Sequence, residues 1–202
     1  MEALELDTNR VIGLYAGQNY GKSFLTKWLI TQIAPHVPVF IYDTNFEGKD
    51  LYAGIGNNVF LIKSIKKSEM ELPKTLNDAI LKLRAKSSNF FIVIEDLDKI
   101  LNHANRTDDT LEIFKLASDS RHQRIGIIYL TKEPTNIPVK LRSNTNLFFF
   151  GSFIEPSHLK YIGEIVDKAT IKRITKPTFL LYDRLTQTQT KVQLHRDELE
   201  EV

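Results

Sequence analysis

Ala16-Gly17-Gln18-Asn19-Tyr20-Gly21-Lys22-Ser23 is the stretch that decides the fold of this chain. Before it stands a short apolar run, Val11 to Ala16, of strand length. After it, Ser23 to Ala34 places Phe24, Leu25, Trp28, Leu29 and Ile33 on one helical face, and Pro35 and Pro38 end that helix. The order is therefore strand, tight glycine turn, amphipathic helix.

The alternation continues outward from this unit. Val39 to Tyr42, Val59 to Ile62, Phe90 to Ile94, Ile125 to Leu130 and Leu147 to Phe150 read as strands. Phe90 to Ile94 is an unbroken apolar run, the pattern of a strand buried on both faces. Pro73 to Lys86, Asp108 to Ser120 and Pro156 to Val166 read as helices. Phe179 to Tyr182 and Lys191 to Leu194 read as a hairpin pair, and Arg196 to Val202 as a polar helix or tail. Apolar strands separated by helix-length segments predict an α/β fold, a mainly parallel sheet with helices on both faces and an antiparallel strand pair near the C-terminus. The chain has 202 residues and no repeat or low-complexity linker, so one domain over 1–202 is expected. Ligands in such sheets bind at the carboxyl ends of the strands.

The glycine turn sits at such an end, and its residues fit the Walker A pattern, with Ala16 where Gly is commoner. Backbone N–H groups from Gln18 to Ser23 can point inward and cradle phosphates, and Gly21 permits close approach of the chain. Lys22 would reach the β- and γ-phosphates of ATP, and the Ser23 hydroxyl would bind Mg²⁺. The N-terminus of the following helix, Phe24 included, turns the positive end of its dipole toward the anion. The expected nucleotide-binding set is Gly17, Gln18, Asn19, Tyr20, Gly21, Lys22, Ser23 and Phe24.

Phe90-Phe91-Ile92-Val93-Ile94-Glu95-Asp96 has the Walker B form, an apolar strand ending in two carboxylates. One can hold the metal and the other polarise the attacking water. Glu95 is assigned to the metal and Asp96 to the water. The usual order is Asp then Glu, so the reverse division stays open, as does a plain helix cap at Asp96 or Asp98. Asp43 ends the second strand at the same sheet edge, where it either joins the outer shell of the metal or forms a turn before Thr44-Asn45.

Composition removes whole classes of function. Hydrophobic residues make up 42% and charged residues 26%, as in a folded soluble domain. There is no cysteine, which excludes thiol catalysis, disulfide frameworks and cysteine zinc sites. His103, His122 and His158 have no metal-ligand spacing. A net charge of +2, from 27 basic and 25 acidic residues, leaves nucleic-acid binding to local basic patches. No apolar run approaches the ~20 residues that span a bilayer, and no signal peptide is visible, so a soluble intracellular chain is expected. An Asn-Lys-x-Asp guanine motif and a Leu-Ser-Gly-Gly-Gln signature are both lacking.

Ser120-Arg121-His122-Gln123-Arg124, the strand Ile125-Gly126-Ile127-Ile128-Tyr129-Leu130, then Thr131-Lys132-Glu133-Pro134 and Leu141-Arg142-Ser143-Asn144 narrow the choice. Over roughly residues 10–155 the chain resembles the FtsK–HerA superfamily of DNA-pumping, RecA-like P-loop NTPases. Within it the likeness is greatest to viral genome-packaging ATPases, the archaeal turreted icosahedral virus type above all. That family carries Thr-Gln-x-Pro after the Gly-Ile strand. Here Lys132 stands at the Gln position, and a Lys only donates where a Gln also accepts. Thr131 and Lys132 are the sensor candidates, with a solvated Lys132 as the plainer reading.

The resemblance implies a Mg²⁺-dependent ATPase that moves double-stranded DNA into a preformed capsid. It further implies a closed homo-oligomeric ring, a hexamer in the family pattern, sited in the host cytoplasm or on the virion. Arg121 is the first candidate for an arginine donated by the neighbouring subunit, with Arg124 and Arg142 as alternatives. Candidate DNA contacts, sequence-independent and to phosphates, are Lys63-Lys66-Lys67, the loop His103 to Arg106 and Lys168-Lys172-Arg173-Lys176. Two rival functions remain: a cellular-type DNA translocase or helicase of the same fold, and a module that uses ATP only to assemble or dock.

Overall fold

The computed structural model describes residues 6–44, 51–52, 54–62, 69–102, 111–153 and 155–194. Strand β1 is Val11–Tyr15, and helix α1, Lys22–Ile33, follows the glycine turn. Strands β2 (Val39–Tyr42) and β3 (Val59–Ile62) precede helix α2 (Leu72–Lys86) and strand β4 (Phe90–Ile94). Helices α3 (Leu97–Asn102) and α4 (Glu112–Gln123) lead to β5 (Ile125–Thr131). Helix α5 (Val139–Asn144) leads to β6 (Leu147–Phe150), and α6 (Pro156–Ile162) and α7 (Lys168–Lys172) to the hairpin of β7 (Thr178–Asp183) and β8 (Thr188–Gln193).

These strands form one eight-stranded sheet in the order β3-β2-β4-β5-β1-β6-β7-β8. The first six run parallel, and β7 and β8 add antiparallel to β6. Every residue of β1, β4, β5 and β6 is buried, so both faces of the central sheet are covered. Tyr15 and Tyr129 lie inside this core because each hydroxyl has a partner: they bond each other at 2.8 Å, and Tyr129 meets Thr145 Oγ1 at 2.8 Å. The register places Tyr15 beside Thr131, so the carboxyl ends of β1 and β5 deliver the glycine turn and the Thr131-Lys132 corner to the same edge.

Strand assignments from the sequence match within about a residue except in the last, read as Lys191 to Leu194, which begins three residues earlier because it pairs with the whole of β7. The helices differ where tertiary contacts decide. Helix α4 starts at Glu112 because the Asn77 side chain on α2 accepts its N–H at 2.9 Å, a cap supplied from elsewhere in the fold. It runs past Ser120 to Gln123 and closes on Arg124 in the left-handed region, φ 52°. The helix expected over 156–166 stops at Ile162, and Asp167 caps a new one by accepting the Thr170 N–H at 2.8 Å. The basic stretch 63–67, the loop 103–106, the first part of the helix expected from Asp108 and the tail from Arg196 lie outside the described residues. No helix among the described residues is long and apolar enough to cross a membrane.

Candidate active site

The glycine turn is built by backbone geometry. Gly21 sits at φ 93° and Asn19 at φ 56°, left-handed positions that reverse the chain over about one turn before α1 begins. The α1 hydrogen-bond ladder opens with Leu25 N–H to the Gly21 carbonyl at 2.9 Å. The N–H groups of Lys22, Ser23 and Phe24 therefore stay outside it, at the positive end of the helix. Gly151 supports the turn from below, since a Cβ there would lie 2.6 Å from the Tyr20 ring and 2.7 Å from the Ala16 Cβ.

Tyr20 anchors the turn rather than facing a ligand with its hydroxyl. That hydroxyl donates to the Thr178 carbonyl at 3.1 Å, and the ring meets Phe179 edge-on at 5.2 Å. The Lys22 ammonium donates to the carbonyls of Ala16 (2.8 Å) and Gly17 (2.9 Å), so it folds back on its own loop. Burial lowers the Lys22 pKa. Asp96 and Asp98 push it back up, Lys132 adds to the lowering, and Glu95 opposes it.

Lys22, Ser23, Phe24, Glu95, Asp96 and Lys132 line one cleft of about 640 Å³. The two Walker motifs, 72 positions apart from Lys22 to Ile94 in the chain, thus share a single hollow because β1 and β4 both flank β5. A second hollow of about 780 Å³ adjoins it across Gln18 and Tyr20, walled by Phe153, His158, Ile174 and Lys176. It lacks Lys22, Glu95 and Asp96, and Glu133 and Glu155 line it instead.

At the end of β4, Glu95 N–H extends the pairing by donating to the Tyr42 carbonyl at 3.1 Å. Asp96 then takes a left-handed φ of 46°, and Lys99 N–H returns to its carbonyl at 2.9 Å to open α3. The Tyr52 hydroxyl donates to Glu95 Oε1. Burial first, and the Glu95 charge second, hold the Tyr52 phenol well above its ordinary pKa. Asp98 is only 1% exposed and accepts the Lys132 N–H at 3.4 Å. Burial and the neighbouring Asp96 raise its pKa, and the Lys132 and Thr131 contacts act in the opposite direction.

Asp98 and Tyr52 are the residues that sequence reasoning missed. The spacing Glu-Asp-x-Asp hinted at Asp98, read only as a helix cap. Nothing local pointed to Tyr52. Asp43 is buried at the carboxyl end of β2, on the edge where it was expected. Thr131 is fully buried at the end of β5, its hydroxyl accepting the Glu133 N–H at 3.0 Å. Lys132 is half-buried and stands where three hollows meet: the cleft, its neighbour and a smaller one of about 380 Å³ lined by Asp96, Asp98 and Asn136.

The arginine candidates separate. Arg121 belongs to the last turn of α4 and Arg124 directly precedes β5, so both map to the amino end of a strand whose carboxyl end carries Thr131. Seven strand residues put roughly 20 Å between those ends. Arg142 is committed inside its own fold, with one nitrogen 2.8 Å from Glu164 and its guanidinium 4.1 Å over the Tyr161 ring. Those contacts give Arg142 partners within its own chain, whereas it was read as an alternative to Arg121. Lys168, Lys172, Arg173 and Lys176 are all exposed, around α7 and the loop after it. His122 is exposed, whereas His158 is buried with Nε2 3.1 Å from Glu133.

The donors in the cleft fit Mg²⁺. Ser23 and the two carboxylates are hard oxygen ligands, and no cluster of three or more His, Cys, Asp or Glu side chains suited to a metal occurs among the described residues. One or two protein oxygens completed by phosphate oxygens and water is the usual arrangement for that ion.

No protein-family model and no curated protein matches the sequence. Solved structures do match in shape. The DNA-packaging ATPase from Sulfolobus turreted icosahedral virus superposes with a TM-score of 0.76 at 19% identity, covering 94% of this chain and all of that one. The genome-packaging NTPase of Sulfolobus turreted icosahedral virus 2, solved in complex with AMP, gives 0.77 at 17% identity with the same coverage. The conjugation coupling protein TcpA of pCW3 gives 0.65 at 16% identity, covering 96% of this chain and 63% of that one. The chain has the fold of the viral DNA-packaging P-loop ATPases.

Proposed function

We propose that this chain, as one domain over 1–202, is an ATP-hydrolysing motor that moves viral double-stranded DNA into a preformed capsid. The observation that carries the reading is the convergence of Lys22, Ser23, Glu95, Asp96 and Lys132 on one cleft at the carboxyl edge of the sheet. The likeness to packaging ATPases over nearly the whole chain supports the cargo and the setting, host cytoplasm or virion.

Loop N–H groups from Gln18 to Phe24 bind the phosphates. Lys22 exchanges its bonds to Ala16 and Gly17 for the β- and γ-phosphate oxygens, a substitution of one set of acceptors for another that moves the ammonium only locally. Ser23 and Glu95 would hold Mg²⁺, which neutralises charge on the transferring phosphoryl group. Asp96 orients the attacking water and takes its proton. Thr131 and Lys132 face the γ-phosphate end, Lys132 as a fixed positive charge.

Arg121 lies at the far edge of the sheet from its own cleft, so it serves a neighbour in a homo-oligomeric ring. The exposed basic group Lys168-Lys172-Arg173-Lys176 contacts DNA phosphates. A second reading, a cellular-type translocase, is favoured by the likeness to the conjugation coupling protein.

The test is ATP hydrolysis by mixed subunits, with and without linear duplex DNA. Arg121→Ala and Asp96→Ala are each inactive alone, and mixing them restores part of the activity because some sites then pair an intact Asp96 with an intact Arg121. Failure to restore contradicts the shared site. Stimulation by duplex independent of capsid components, with movement along bare DNA, would move the reading to the cellular type.

A further inference from the structure

Glu95 is held by a residue that no motif includes. Tyr52 is 3% exposed, packed in the main core, and its hydroxyl donates to Glu95 Oε1 across 43 positions of sequence. The fully buried Thr26 hydroxyl lies within reach of the same phenol. Thr26 is three residues after Ser23, on the same face of α1, and its Oγ1 donates to the Lys22 carbonyl at 2.9 Å. Leu51, next to Tyr52, lines the cleft with Glu95 and Ser23. Tyr52 therefore bridges the helix that carries the phosphate loop and the strand end that carries the acid.

We propose that Tyr52 is a positioning residue for the nucleotide-bound cation: its hydroxyl fixes one oxygen of Glu95 so that the other is presented to the cleft beside Ser23. An ionised carboxylate only accepts, and its two oxygens offer about four lone-pair sites. A donor buried in the core and aimed at one oxygen restricts the rotation of the Glu95 carboxylate. Glu95 lines the cleft together with Ser23, where its carboxylate would meet the cation or a water bound to it. This is the way outer-shell donors orient metal-binding carboxylates, and loss of such a partner weakens metal affinity or activity by about 10–100-fold. The inference rests on the ATPase reading above.

Tyr52→Phe in the full chain removes one oxygen and keeps the ring. The test reads Mn²⁺ affinity by electron paramagnetic resonance with saturating ADP, ADP affinity in EDTA, and kcat and KM for ATP. The expected result is Mn²⁺ binding weakened about 10-fold or more and a kcat that falls with it. ADP affinity in EDTA and the melting temperature stay at wild-type values. If the Phe variant melts early, the same Mn²⁺ and ADP titrations are run at a temperature where both proteins are fully folded. In a Glu95→Ala background, Tyr52→Phe adds no further loss of Mn²⁺ affinity, because the side chain through which it acts is gone.

Wild-type Mn²⁺ affinity and kcat in a folded Phe variant overturn the proposal. So does an equal loss of ADP affinity in EDTA, which would mark general damage to the loop. A wild-type chain that binds neither ADP nor Mn²⁺ contradicts the ATPase reading instead.

Discussion

Asp98, buried at the start of α3, accepts the backbone N–H of Lys132 at 3.4 Å and so ties the acidic turn after β4 to the corner after β5. The contact joins the turn that carries Asp96 to the corner that carries Thr131 and Lys132. The contact carries a cost, because burial and Asp96 disfavour the ionised Asp98. A carboxyl raised in the folded state is uncharged without penalty at pH below the ordinary carboxyl range. Stability falls as pH rises through its folded value. Asp98→Asn keeps an acceptor for Lys132 and removes that penalty. Its melting temperature should exceed wild type at neutral pH and converge with it in acid. Asp98→Ala leaves the Lys132 N–H without its acceptor and should lose about 1–3 kcal/mol in denaturant unfolding.

Lys132→Gln tests the sensor directly. The substitution restores an acceptor but removes a charge at the meeting point of the three hollows. A charge-assisted hydrogen bond contributes about 1.5–3 kcal/mol, so loss of one to the γ-phosphate should weaken ATP binding by about 10-fold or more. ADP binding should change little. Equal affinities of wild type and variant for ATP would return Lys132 to the solvated surface.

The central strands were legible from the sequence because Phe90 to Ile94 and Leu147 to Phe150 are buried on both faces and read as apolar runs. The phosphate loop was legible because its chemistry is contiguous in the chain. The short helices Leu97–Asn102, Val139–Asn144 and Lys168–Lys172 were not, since helices of one to two turns owe their existence to packing and caps rather than to a periodic face. Tyr52 and Asp98 stayed hidden for a related reason: each acts on a residue brought near only by the sheet order. The partners of Arg142, Glu164 and the Tyr161 ring, were hidden in the same way, since neither stands beside it in the chain.

Gly151→Ala should damage the phosphate loop through packing alone. The added methyl meets the Tyr20 ring and Ala16 well inside contact distance. Overpacking of this kind costs about 1–3 kcal/mol, read in denaturant unfolding. Because Tyr20 is pinned at Thr178 and Phe179, the loop must shift, and nucleotide affinity should fall in the same variant.

Arg142→Ala and Arg121→Ala should part in a simple comparison. The first loses its stacking on Tyr161 and a partly exposed ion pair, about 1–2 kcal/mol of stability, with activity per folded molecule retained. The second should lose activity in a protein that circular dichroism shows to be folded. An Arg142→Ala protein that is fully folded yet inactive would reverse the two assignments.

The most direct test of the account is steady-state phosphate release from ATP with Mg²⁺, for wild type and Lys22→Ala side by side. Wild type should turn over, and Lys22→Ala, shown to be folded by circular dichroism, should fall by at least 100-fold. The size of that drop reflects the loss of a fixed positive charge at a phosphoryl-transfer site. A folded wild-type protein with no turnover, or a Lys22→Ala variant as active as wild type, would contradict the claim that this cleft hydrolyses ATP.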